Sequence, residues 1–291
     1  MSDHESETEE QQELDLSKSD VVTKYKAAAK ITNSVLASII QACKPDARIA
    51  ALCEQGDKSI QEAVSKEFKG KTIEKGVAFP TCISPNHVVG HFSPLREDST
   101  VVKAGDLLKI DLVEDGEFEE NEVYAIDIVV STGEGKPKIV DEKQTTVYKR
   151  ALDMVYSLKM KASRTVFKEI NTRFPALPFT FRELEGTSSR EASSSRLGIV
   201  ECLSHGLLHP YPVMYEKSGE LVAQFKTTVL LMPNGSDRIT SAPVQELSTD
   251  KQITDDEVKA LLASSLKSKK KNKNKKLPKA ENGLKDAEAA Q

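Results

Sequence analysis

The chain has 291 residues, of which 38% are hydrophobic and 30% charged, and its formal net charge is -4. This length suits one large domain or two modest ones, and the apolar content can fill a sizeable core. No run approaches the roughly 20 apolar residues of a membrane span, and the acidic N-terminus is unlike a secretory signal, so we expect an intracellular protein without membrane insertion.

The N-terminal part of the chain predicts an acidic tail followed by two helices. Residues 1–16 contain seven acidic side chains and no Lys or Arg, so we expect this segment to be disordered. From 17 to 44 the apolar residues recur with a period close to 3.6, which predicts an amphipathic helix that ends near Pro45. A second helix is predicted from 46 to about 68.

The middle of the chain predicts strands first and then a helix. Residues 73–111 are broken by prolines and glycines into short extended pieces, and 122–132 (EVYAIDIVVST) is the clearest strand signal. Residues 143–174 return to an apolar stripe at helical spacing and predict a long helix. The serine-rich stretch 186–195 predicts a flexible surface loop.

The C-terminal part predicts a strand pair, a short helix and a basic tail. Residues 222–232 (VAQFKTTVLLM) form an apolar strand signal, and PNGSD directly after them is a tight-turn signal. A helix is predicted over 255–266, within a segment that we place at 248–266. Residues 267–291 form a basic tail that we expect to be disordered.

The four cysteines are far apart in the sequence. Cys43, Cys53, Cys82 and Cys202 form no C-x-x-C pair, and no histidines follow at zinc-finger spacing. We therefore expect reduced and partly buried thiols.

Residues 82–111 place His91 and Asp111 at a spacing like that of half a metallopeptidase site. A two-metal hydrolase needs several carboxylates and a histidine around two cations, so that a bridging water becomes hydroxide. The rest of the chain does not easily supply the remaining ligands.

Several stretches together carry a family resemblance, among them VVTKYKAAAKI, GVAFPTCIS, VVGHFSPL, GDLLKIDL, FEENEVYAIDIVVSTGEGKPK, VECLSHGLL and TVLLMPNGSDRIT. Over most of residues 20–247 the chain resembles the proliferation-associated, ErbB-receptor-binding protein family, which is similar to methionine aminopeptidases. The resemblance implies an α+β fold of the pita-bread (creatinase/aminopeptidase-like) type, in which helices cover a curved antiparallel sheet. We assign this domain to 17–247.

The resemblance also allows the metal site to be compared position by position. Asp111 matches the first metal aspartate, His91 matches the substrate-side histidine, and Asp127 stands where the peptidases carry a metal glutamate. Lys226 stands where their bridging glutamate belongs, and an ammonium has no lone pair for a metal and repels cations. We therefore expect vestigial positions, no bound metal, no cofactor and no catalysis. A plainer interpretation, which we favour, is that the carboxylates are ordinary polar residues that face water at strand ends or pair with a base such as Lys226.

A larger departure from the family follows Asp111. Family members continue from KIDL into a long middle segment, whereas this chain passes near 112–114 directly into VEDGEFEENEVYAID. The second metal aspartate and the metal histidine would lie in the absent piece. The join indicates a splice isoform or an incomplete gene model. The pita-bread domain is then expected to be incomplete, with apolar faces of the remaining sheet exposed.

The lysine-rich tail indicates binding to polyanions, because lysines that neutralise phosphates release counterions. A solubility tail without a partner is the plainer alternative, and a nuclear import signal is an equally natural use. The candidate RNA-binding residues are Lys267, Lys269, Lys270, Lys271, Lys273, Lys275, Lys276 and Lys279.

The preceding helix presents an apolar face that can dock into a partner's groove or pack on its own domain. The candidate partner-helix residues are Val258, Leu261, Leu262 and Leu266.

The resemblance implies a non-catalytic regulator of cell growth, ribosome biogenesis and translation that is associated with RNA, ribosomes or pre-ribosomal particles. It also implies protein co-regulators as partners, a role in transcription, and a location in cytoplasm, nucleus and nucleolus. Two alternatives stay open: a metal-dependent methionine aminopeptidase, and an interaction adaptor in transcription without RNA binding.

Overall fold

The computed structural model describes residues 16–69, 75–111, 121–186, 189–233, 235–243 and 251–263. The chain divides into two units, Met1–Pro243 and Val244–Gln291, each considered by itself. The predicted basic tail lies outside the described residues, as does the predicted acidic tail except for Leu16. That leucine is 4% exposed and packs in a cluster with Val21 and Leu230, so it belongs to the folded unit and not to a tail.

Two N-terminal helices form as predicted. Helix α1 covers Ser19–Ala42 and helix α2 covers Ile49–Lys66. Their inward residues pack on short strands β1 (Cys82–Pro85), β2 (Val88–Gly90) and β3 (Leu108–Asp111). The resulting core contains Val35, Ile39, Ile49, Leu52, Cys53, Ile83, Val88 and Val213 among others. Strand β3 pairs antiparallel with β1, which sets Asp111 opposite Cys82.

The two longest strands also confirm the sequence prediction, although their pairing with each other was not predicted. Strand β4 (Val123–Ser131) pairs antiparallel with β10 (Val222–Met232), and β11 (Gly235–Arg238) pairs with the other side of β10. The register places Lys226 directly opposite Asp127. A second three-stranded sheet joins β2 to β9 (Met214–Tyr215) and β5 (Lys138–Ile139).

A second group of elements packs around its own core. It contains β6 (Val147–Arg150), helix α3 (Lys161–Arg173), β7 (Phe179–Thr180), helix α4 (Ser189–Ser204) and β8 (Leu208–Tyr211). The strands form a sheet in the order β7-β6-β8. Their shared core includes Tyr148, Leu158, Val166, Ile170, Phe179, Ile199, Cys202 and Leu207.

The helix predicted over 143–174 is wrong before residue 161. A 3-10 turn at Glu142–Gln144 and strand β6 occupy its first part. Val155, which belongs to the apolar stripe of the predicted helix, is 95% exposed. The cause is tertiary pairing, because Val147 and Tyr148 pair with Thr180 and Phe179 across the sheet. β-branched and aromatic side chains suit such pairing better than a helix.

The loop predicted over 186–195 is also wrong, since helix α4 begins at Ser189. Its C-terminal half packs closely on α3. A Cβ added to Gly198 would lie 3.1 Å from the carbonyl oxygen of Ala162, and Ile199 and Cys202 are buried. This packing outweighs the poor helix propensity of the serines.

Three smaller points complete the fold. All four cysteines are free thiols, and Cys53, Cys82 and Cys202 are buried, which confirms the expectation of reduced thiols. The short C-terminal helix α5 covers Asp256–Ala263 in the second unit, so Leu266 lies outside the described residues. Among the helices that the structure describes, none has the length and apolar character to span a bilayer.

Candidate functional site

Three charged residues that the sequence singled out meet on one face of the β4–β10 pair. Asp111 is the last residue of β3, Asp127 lies in β4, and Lys226 is its cross-strand partner in β10. The Lys226 ammonium donates to Asp111 Oδ1 and lies 3.1 Å from Asp127 Oδ2. The side chains of Lys226 and Asp111 are 15% exposed and that of Asp127 is 25% exposed, so water screens these charges only in part.

The electrostatics of this cluster keep the lysine protonated. Burial alone would lower the Lys226 pKa, but the negative charges of Asp111 and Asp127 and their hydrogen bonds outweigh burial, so its pKa is raised. Gln224 adds a second support, because its Nε2 donates to the two carboxylate oxygens of Asp127 at 3.0 and 2.9 Å. Both carboxylates are therefore engaged by donors from the protein itself.

The fold family implies two metal ions, and the donor set here does not fit them. Two carboxylates remain of the expected ligands, and the ammonium of Lys226 bonds to one and lies 3.1 Å from the other. Within the described ranges no group of three or more His, Cys, Asp or Glu side chains is placed to hold a metal ion. Metal binding would have to displace a protonated amine that offers no lone pair.

His91 is held by a different set of contacts. Its backbone has a positive φ of 63°, an uncommon conformation for a residue other than glycine. Its Nδ1 lies 3.0 Å from the carbonyl oxygen of Pro212, and since a carbonyl only accepts, Nδ1 carries the proton. The ring packs against Phe79 and Tyr211 at centroid distances of 5.8 and 5.5 Å. The hydrogen bond thus goes to the backbone and not to Asp111 or Asp127.

Sequence reasoning missed a second buried lysine next to the cluster. Lys109 is 3% exposed, and its Nζ donates to the carbonyl oxygens of Asn86 and Val222 at 2.9 Å each. Burial lowers its pKa to about 8. The only signal in the sequence was a lysine inside the apolar LLKID run, two residues from Asp111 and therefore on the same face of β3.

Cys82, opposite Asp111, is fully buried. Burial raises its pKa well above the ordinary value, so it stays a neutral thiol and is unsuited to nucleophilic chemistry.

The other predicted binding residues are placed only in part. On α5, Val258, Leu261 and Leu262 are exposed, with the two leucines at 73% and 67%. The eight candidate lysines from Lys267 to Lys279 lie outside the described residues.

Comparison with known proteins assigns the chain to a family. The model of metallopeptidase family M24 matches residues 23–177. A potato protein called ErbB-3 binding protein 1 is 42% identical and aligns with 97% of this chain and 97% of its own length. A protein of Schizosaccharomyces pombe called curved DNA-binding protein is 30% identical over 96% of this chain and 100% of its own.

A solved structure supports the pita-bread fold. The structure of a thermophilic Arx1 matches with a TM-score of 0.75 at 23% identity, over 86% of this chain and 100% of that one. The alignment with the potato protein extends over 382 positions although this chain has 291 residues. That relative therefore contains residues without a counterpart here. The chain belongs to metallopeptidase family M24, in its group of ErbB-receptor-binding and proliferation-associated proteins.

Proposed function

We propose that this chain is a non-catalytic member of its family that regulates cell growth, ribosome biogenesis and translation through RNA, ribosomes or pre-ribosomal particles. We place it in cytoplasm, nucleus and nucleolus. The observation that carries the non-catalytic part is the position of the Lys226 ammonium between Asp111 and Asp127.

A peptidase of this family would use its metals to activate water and polarise the substrate carbonyl. Here an amine occupies the place between the carboxylates, and its raised pKa keeps it protonated. His91 has its Nδ1 bound to Pro212. Lys226, Asp111 and Asp127 bind one another and His91 binds the backbone, so these residues are not arranged to hold a metal or to activate water against a peptide.

The competing enzyme hypothesis is tested by loading the protein with Mn²⁺ or Co²⁺ and assaying cleavage of Met-peptides. We expect no heat of metal binding in calorimetry and no turnover above a metal-only blank. Metal-dependent cleavage that Asp111→Ala abolishes would overturn the proposal. Lys226→Arg is the matched control, since it keeps the positive charge and should behave like the natural chain.

The RNA part of the proposal rests on charge. Eight lysines within residues 267–279 give salt-sensitive attachment to any polyanion. A relative that is similar over nearly the whole chain carries the name curved DNA-binding protein, which supports nucleic acid as a partner. The same lysines suit a nuclear import signal.

Filter binding to ribosomal RNA at two salt concentrations tests this part. Each phosphate contact contributes about 0.7 to the slope of log affinity against log salt concentration. Changing all eight lysines to glutamine should therefore make this slope shallower by up to about 6. The matched control changes the same eight lysines to arginine and should keep both affinity and slope. If removal of residues 267–291 leaves both unchanged, the tail does not bind RNA.

Helix α5 favours a second candidate, an adaptor in transcription without RNA binding. Leu261 and Leu262 are exposed on one short helix, as docking into the groove of a partner protein requires. Leu261→Asp should then abolish capture of that partner, while Lys259→Gln on the same helix should not. Loss of partner binding with no measurable RNA affinity in the natural chain would favour the adaptor.

A further inference from the structure

Strand β4 has one edge that no strand of the described residues covers, because the sheet order β11-β10-β4 places it last. The backbone pattern fixes which groups face that edge. Thr132 N donates to Leu221 O at 3.0 Å, and Leu231 N donates to Glu122 O at 2.9 Å. In an antiparallel pair these bonds recur at every second residue. Even-numbered residues of β4 therefore bond to β10, and Val123, Ala125, Asp127, Val129 and Ser131 direct their N–H and C=O groups away from it.

The side chains at the C-terminal half of this edge are apolar on both faces of the sheet. Ile128, Val129 and Val130 are 54%, 47% and 53% exposed, and Phe225, which lies beside Ile128 across the ladder, is 60% exposed. Natural proteins usually protect such an edge with lysine, proline, a bulge or a short strand. Residues 128–131 carry no charge and no proline, and β4 is nine residues long.

We propose that this edge pairs with the same edge of a second copy of the chain. An antiparallel pair centred on Val129 sets Val129 opposite its own copy, Ile128 opposite Val130 and Asp127 opposite Ser131. The two sheets of three strands then continue as one sheet of six. A strand from another protein would have to match this row of apolar residues, whereas the second copy matches it by symmetry.

The charge pattern supports this register. Centring the pair on Asp127 would set two carboxylates directly opposite each other, which is unfavourable. Centring it on Val129 separates them and leaves each Asp127 bound to Lys226 and Gln224 of its own chain. Ile128 and Val130, both β-branched, then form cross-strand pairs on the face that also carries Phe225.

Val129→Pro tests the pairing without breaking the sheet, because the N–H of Val129 points away from β10. Proline is tolerated on a strand when its missing N–H faces the free edge. By sedimentation velocity over a range of concentrations, we expect the natural chain and Val129→Thr to dimerise. Val129→Pro should weaken the dimer at least about tenfold, since symmetry removes two hydrogen bonds at once. Dimerisation that Val129→Pro leaves unchanged, or a natural chain that stays monomeric at every concentration, overturns the proposal.

A disulfide gives an independent test in case the proline variant fails to fold. In the proposed register two Val129 Cα atoms face each other at about 5.5 Å, which is within disulfide range. Two Ala125 residues would be about 26 Å apart along the strands. Oxidised Val129→Cys should yield a covalent dimer, whereas Ala125→Cys should yield no more than the natural chain with its four cysteines. Equal cross-linking of both variants, or capture of an unrelated strand in place of the copy, contradicts the self-pairing.

Discussion

Replacing Lys226 with methionine removes the charge between Asp111 and Asp127 while keeping a side chain of similar length. At 3.1 Å and an effective dielectric constant of about 20, the attraction to Asp127 alone is about 5 kcal/mol before desolvation. Removing one partner of a buried pair costs about 3–5 kcal/mol. These side chains are 15% to 25% exposed, so solvent screening lowers the expected cost below that range, to about 2–3 kcal/mol.

The stability lost in Lys226→Met should be smaller at low pH than at neutral pH. In Lys226→Met two largely buried carboxylates have no cation between them, and the repulsion between their negative charges destabilises the folded state. Protonation of either carboxylate removes this repulsion, so the stability of the variant relative to the natural chain recovers as the pH falls. Urea unfolding at pH 7 and pH 4 should therefore show a smaller difference between variant and natural chain at pH 4.

Two further variants separate charge from packing in this experiment. Lys226→Arg keeps the positive charge and should retain most of the stability. Asp127→Asn added to Lys226→Met removes the repulsion and should recover part of the loss at pH 7. A cost below about 0.5 kcal/mol for Lys226→Met, or an equal cost at both pH values, would contradict the pairing seen in the structure.

Three other variants probe the core that supports the site. The pKa of Lys109 is about 8 in the folded state and higher in the unfolded chain. Between these two pKa values the unfolded chain binds more protons than the folded chain, so the free energy of unfolding rises with pH. Lys109→Met should abolish that rise in urea midpoints at pH 7.5 and 10. Gly56→Ala should lower the stability in thermal unfolding by about 1–3 kcal/mol, because the new Cβ would lie 2.5 Å from Thr81 Oγ1. The control Ala51→Ser, at an exposed position of the same helix, should cost little. Arg182→Met should cost about 3–5 kcal/mol, since Arg182 is 1% exposed and bonds Asp57 at 2.9 Å, and Asp57→Asn should recover part of it.

Long elements with regular periodicity were predictable from the sequence, and short ones that depend on distant partners were not. Helices α1 and α2 and strands β4 and β10 carry their pattern over nine or more residues. Strand β6 has four residues, and it is a strand because β7 and β8 lie on either side of it. The serines of α4 predicted a loop, and the packing of its C-terminal half on α3 explains the helix.

The candidate site was predictable in its residue types and not in its geometry. The mismatch of Lys226 with a metal ligand can be read from the VAQFK motif, and opposite charge makes a pair with Asp111 and Asp127 one of the arrangements that the sequence predicts. The bond from His91 to Pro212 depends on a positive φ and on a loop 121 residues away. The bonds of Lys109 to Asn86 and Val222 also join distant segments, and no local pattern encodes such contacts.

The two ends of the β4–β10 ladder differ in how far their apolar side chains are buried. At one end Tyr124 and Leu230 are buried, and Leu230 packs with Leu16 and Val21. At the other end Ile128 and Phe225 are more than half exposed. Full burial of such a side chain contributes about 1.5–3 kcal/mol, so each half-exposed one forfeits about 1 kcal/mol, against a total stability of about 5–15 kcal/mol for a domain. Pairing with a second copy along the same edge covers part of this surface, so association contributes burial that the separate chain lacks.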